Sequence, residues 1–160
     1  MNKDEIDIFQ RAIDRLNPLE AGEFRLNPGD LLHKLINVKQ VGEIHDSERF
    51  GVYLIYGVYG GRQTLLYIGK AGTVHEDGTM GGQGLHGRLA NKQEKMPRQV
   101  FFMKLLSGED PRVGPIDGLR IKWLETYRDN AGTPPFQAEA ELLAAYLAEF
   151  RKLPPLNNKA

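Results

Sequence analysis

Two neighbouring stretches constrain this chain more than any others. Gly51-Val-Tyr-Leu-Ile-Tyr-Gly-Val-Tyr59 is β-branched and aromatic, and Thr64-Leu-Leu-Tyr-Ile-Gly69 repeats that character after Gly60-Gly61-Arg62-Gln63. Such runs suit a pleated, half-buried surface, and glycines between them supply the backbone freedom of a turn. The pair reads as a β-hairpin, so the fold is built on a sheet with an antiparallel element.

The rest of the chain supplies elements to pack on it. Val100-Phe-Phe-Met-Lys-Leu-Leu106 reads as a third strand between Pro97 and Ser107-Gly108. Ile6, Phe9, Ile13 and Leu16 recur at helical spacing, which predicts a helix over 4–16 ended by Asn17-Pro18. Asp30 is placed to cap a short helix through Leu31, Leu32, Leu35 and Ile36. Leu85 to Lys95 reads as a helix, as do residues 116–129 through Ile116, Leu119, Trp123 and Tyr127. Residues 73–84 hold four glycines and few apolar groups, and read as a mobile loop. Thr133-Pro134-Pro135 starts the last helix, with Thr133 as N-cap, and the helix runs to about Lys152. The expectation is an α/β (α+β) domain over 49–160, a small three-stranded, mainly antiparallel sheet flanked by helices. Residues 1–48 form an N-terminal helical extension, too small to bury much core alone.

Composition narrows the function classes. With 160 residues there is room for one domain, and 41% apolar with 26% charged residues excludes a wholly disordered chain. No apolar run approaches the roughly 20 residues of a spanning helix, so no membrane partner is expected. The absence of cysteine removes disulfides, thiolate zinc sites and cysteine nucleophiles, and fits a cytoplasmic location. Total charge is zero, but residues 51–106 carry 7 basic against 3 acidic side chains, including Lys70, Arg88, Lys92, Lys95, Arg98 and Lys104. That local excess suits either a phosphate contact or an ordinary solvated face.

One carboxylate is conspicuous. With Glu139 at zero and about 100° per residue, Phe136, Leu143, Leu147 and Phe150 fall at roughly +60, +40, +80 and +20°. Leu142, Tyr146 and Leu153 fall at roughly −60, −20 and −40°. Glu139 thus lies at the centre of the apolar stripe, and Glu141 about 200° away. A carboxylate there needs a partner cation, a metal, or a route to water.

The motifs now fall in an order. Gly51-Val52-Tyr53 and Tyr67-Ile68-Gly69 resemble the paired signature of the GIY-YIG nuclease family, and Lys70-Ala71-Gly72 extends the second half. Leu85-x-x-Arg88-Leu89 resembles the family's arginine-bearing helix, Glu139 with Leu142-Leu143 its metal-binding glutamate motif, and Pro154-x-x-Asn157 its closing P-x-x-N. The resemblance covers about residues 50–158. It implies metal-dependent hydrolysis of DNA phosphodiesters with one Mg²⁺ or Mn²⁺. It assigns catalysis to Tyr53, Tyr67, Arg88, Glu139 and Asn157, the metal to Glu139, and substrate contacts to Lys70, Gly69 and Lys92. The chemistry of these groups agrees with it. Glutamate is a hard oxygen ligand, an arginine fork grips a phosphate, and Tyr53 beside a cation can take a proton from water while Tyr67 orients the phosphate or the water. Asn157 would brace the site through its amide. The alternative from another class is an inactive nucleic-acid-binding or assembly module on the same fold, and the extension 1–48 is the natural place for a protein partner or homo-oligomer contact.

Overall fold

A computed structural model describes residues 5–30, 43–44, 47–82, 84–90, 92–93 and 96–157. The long elements are α1 (Glu5–Leu16), β1 (Glu20–Leu26), β2 (Phe50–Tyr59), β3 (Arg62–Ala71), α2 (Leu85–Ala90), α3 (Arg98–Leu106), β4 (Gly118–Arg128) and α4 (Pro135–Phe150). The sheet runs β1-β4-β2-β3, every neighbour antiparallel, and Ala131–Gly132 folds back onto the end of β4. The expected hairpin is present. β2 and β3 are joined by Gly60-Gly61, with Gly60 at φ 60°, a conformation that glycine adopts freely.

Each face of the sheet carries a core because its strands are apolar on both sides. Phe24, Leu26, Tyr53, Ile55, Ile121 and Trp123 point to one face and pack on Leu85 and Leu89 of α2 and Phe102 and Leu105 of α3. Val52, Leu54, Tyr56, Leu65 and Ile68 point to the other, against Phe9, Ile13 and Leu16 of α1 and Leu142 and Tyr146 of α4. The result is an α+β fold of three layers, helices over and under an antiparallel sheet.

Five expectations are corrected. The helix expected from Leu85 to Lys95 ends at Ala90, and Lys92–Gln93 pairs with Met96–Pro97. Residues 98–106 form a helix, not a strand. A continuous apolar run fits either form, and only Val100 in this one is β-branched, whereas Met103, Lys104, Leu105 and Leu106 favour a helix. Residues 118–128 form a strand, not a helix. Ile116, Leu119, Trp123 and Tyr127 matched a helical period, but Leu119, Ile121 and Trp123 also alternate, and that alternation decides the outcome once β1 and β2 flank the segment. The sheet therefore has four long strands rather than three. The fourth is β1, inside the region read as helical; only its Phe24 and Leu26 are buried, so it leaves little pattern. Last, α4 begins at Pro135 with Pro134 at the cap position and no side-chain cap from Thr133; it ends at Phe150, with Arg151 left-handed. The helix anticipated after Asp30 lies outside the described residues.

Within the glycine-rich segment, residues 73–82 fold back on themselves. Thr73–Val74 pairs with Met80–Gly81, Asp77 accepts hydrogen bonds from the Thr79 amide and hydroxyl, and the Tyr127 hydroxyl donates to the Gly78 carbonyl at 2.9 Å. It is a small hairpin tied to β4, not an open loop.

Candidate functional site

The site is built around β3, the sheet edge, and its register with β2. Tyr53 lies opposite Gly69 and Ile55 opposite Tyr67, so the two tyrosines are diagonal neighbours on one face. Their ring centroids are 5.9 Å apart. Gly69 is required by this arrangement: a Cβ there would overlap the Tyr53 ring, 2.5 Å from its hydroxyl oxygen. Gly51 has a different cause. The β4 strand bulges between Glu125 and Tyr127, and its backbone closes on Gly51 until no side chain fits. The two glycines of the motif thus accommodate a ring and a bulge.

The tyrosines differ in exposure. Tyr53 is wholly buried, while Tyr67 is half-buried at the margin of the same core. Lys70 is exposed, and the alternation of β3 puts it on the opposite face from Gly69.

Glu139 is half-buried on the second turn of α4. Burial raises its pKa above the ordinary glutamate value, and the charges of Lys70 and Arg88 offset part of that rise. Both cations are therefore close enough to act on this carboxylate. The helical wheel needs a correction. The buried residues of α4 are Pro135, Ala138, Leu142 and Tyr146, and their arc is centred roughly 55° from Glu139. Phe136 and Leu147 are exposed. Glu139 sits at the border of the buried face, where a carboxylate keeps access to solvent. Glu141 is exposed and accepts a hydrogen bond from Gln137, its i−4 neighbour.

Arg88 projects from α2, whose Leu85 and Leu89 are wholly buried. Its Nε is buried and has no hydrogen-bond partner among the described residues. Such a donor is costly unless something accepts from it. Asn157 is fixed most firmly. Its Oδ1 accepts from the Ile68 amide at 2.7 Å and its Nδ2 donates to the Ile68 carbonyl at 2.8 Å. With the Leu156 amide donating to Leu66 O at 2.9 Å, residues 156–157 satisfy the open edge of β3 from Leu66 to Ile68. The side chain of Lys92 lies outside the described residues.

The charges of Lys70 and Arg88 thus reach Glu139, while Tyr53, Tyr67 and Asn157 are joined through β3. Sequence reasoning missed Arg49, whose carbonyl accepts from the first amide of α2, and Glu125, a buried carboxylate beside it. Arg49 stands in a polar stretch with no period to mark it. Glu125 carried a signal: as part of a strand it falls on the face of Ile121 and Trp123.

The donor set bears on a metal. Among the described residues no cluster of three or more His, Asp or Glu ligands exists. A single carboxylate with open sides fits Mg²⁺ or Mn²⁺, which bind through one or two carboxylates, waters and substrate phosphates, and does not fit a cage-bound metal. Among the described residues no helix is long and apolar enough to cross a membrane. Comparison with family models, curated proteins and solved structures gives no match.

Proposed function

We propose that the chain is a divalent-metal-dependent endonuclease acting on DNA, with its reaction centre at Glu139 and Arg88, flanked by Tyr67 and Lys70 from the two faces of β3. The observation that carries this reading is a half-buried carboxylate that feels the charges of two cations, one of which has a buried Nε–H with no acceptor among the described residues. A phosphodiester oxygen would supply what that arrangement lacks, an acceptor for the arginine Nε–H. The ordered resemblance to GIY-YIG nucleases supports the same assignment.

In this scheme Arg88 grips the scissile phosphate and stabilises the charge that grows on its oxygens. Glu139 would hold Mg²⁺ or Mn²⁺, which when bound offsets charge on the phosphate and the leaving oxygen. Tyr67 holds the attacking water and, once ionised to the phenolate under the influence of the nearby cations, takes its proton. We assign this step to Tyr67 rather than Tyr53 because Tyr67 is the one with solvent access. Tyr53 supports the Tyr67 ring from within the core, Lys70 adds a cation near the substrate, and Asn157 holds the backbone of β3.

The test is plasmid and oligonucleotide cleavage by the purified chain with Mg²⁺ or Mn²⁺. Wild type should cut, and Arg88→Ala should lose on the order of 10²–10³ in rate while staying folded, as expected for loss of a preorganised charge-stabilising donor. DNA binding without metal-dependent cleavage would favour the binding-module reading instead.

A further inference from the structure

α2 has six residues, too few to be stable by itself, so the direction of Arg88 is set by what holds that helix. Leu85 and Leu89 anchor it by burial. Its first amide, Leu85 N–H, donates to the Arg49 carbonyl at 2.7 Å. Arg49 is itself held firmly. It is only 8% exposed, and its guanidinium carbon lies 5.3 Å from the centroid of the Trp123 ring. Its Nη1 donates to Glu125 Oε1 at 3.2 Å and also pairs with Glu20. Glu125 is 2% exposed and is shared with Arg128, whose Nε donates to Oε2 at 3.2 Å. Removing either guanidinium would leave a buried carboxylate short of a partner, so the pairing is costly to break. Its rigidity passes through one residue, Arg49, to the start of the helix bearing Arg88.

We propose that Arg49, locked by Glu125, Glu20 and Trp123, is a positioning residue that sets the reach of Arg88 toward a phosphodiester. The kinetic part rests on the nuclease reading; the positional part does not. Glu125→Gln removes the lock's charge at nearly constant shape, and Arg49→Lys keeps the charge without the fork. Both should leave the KM for a short DNA duplex little changed and lower kcat by about 100-fold, the scale of a small misplacement of a catalytic group. Both should also speed hydrogen exchange at the Leu85 amide and shift the Arg88 Nε–Hε NMR resonance. Arg120→Ala, which breaks an ion pair with Glu23 on the opposite face, should change none of these. If Glu125→Gln does not fold, Glu20→Gln, at the exposed end of the cluster, gives the same readouts. A Glu125→Gln protein with a lowered Tm but unchanged Leu85 exchange, Arg88 resonance and kcat would overturn the proposal. A wild-type chain that never cuts DNA would count against the nuclease reading alone, and the exchange and resonance data would still decide the lock.

Discussion

Asn157 offers a quantitative test of how the site is held. Its amide makes two hydrogen bonds to one residue of an edge strand, 2.7 Å from the Ile68 amide and 2.8 Å to the Ile68 carbonyl. Each is worth about 1 kcal/mol net, so Asn157→Ala should cost about 2 kcal/mol, since the site is part-buried and water replaces the contacts only incompletely. For a chain of this length that is a fall in Tm of about 4–8 °C. Asn157→Asp is the sharper variant. The new carboxylate still accepts from the amide but faces the Ile68 carbonyl with a second oxygen. At neutral pH it should be at least as damaging as alanine. Facing a carbonyl raises the folded-state pKa of the new carboxyl above its unfolded value. Its stability should therefore recover in acid, where the protonated group can donate, and be lost again as pH rises through the folded pKa. Urea and thermal unfolding of both variants, with Gln137→Ala as an exposed control, supply the numbers. An Asn157→Ala protein within about 0.5 kcal/mol of wild type, the range of a surface change, would refute the brace.

Tyr67→Phe should abolish cleavage and leave folding nearly untouched, whereas Tyr53→Phe should retain cleavage; single-turnover rates for the two would reverse the assignment if Tyr53→Phe were the inactive one. Because burial raises the pKa of Glu139, its proton competes with the metal above the ordinary glutamate range, so Mn²⁺ affinity should grow with pH through that raised pKa. Without metal the sign runs the other way for stability. The folded state holds the Glu139 proton more tightly than the unfolded state, so stability falls as pH rises from the unfolded to the folded pKa, and Glu139→Gln should remove that slope in unfolding measured against pH.

The sequence disclosed the hairpin, α1 and α4 because each has a single dominant period or a turn that only glycine suits. It misassigned 98–106 and 118–128 because both are apolar enough to satisfy either period, and the choice was made by tertiary partners. Strand β4 became a strand by lying between β1 and β2. The candidate site was legible where a residue type was unusual for its place, as with Gly51, Gly69 and Glu139. It was not legible where placement depended on a bulge or a buried network. Nothing local sets Tyr53 in the core and Tyr67 at its edge, or ties Arg49 to the helix of Arg88. Those relations exist only after the sheet is assembled.

We propose that Glu139, not its neighbour two residues on, holds the divalent ion. Mn²⁺ binding in the presence of a short DNA duplex, followed by electron paramagnetic resonance together with cleavage, tests it directly. Glu139→Gln should lose both, because a neutral amide is a poor ligand for a hard cation. Glu141→Gln, altered only at an exposed carboxylate bonded to Gln137, should keep both at wild-type level. Retention of Mn²⁺ binding and cleavage by Glu139→Gln, with their loss in Glu141→Gln, would contradict the account.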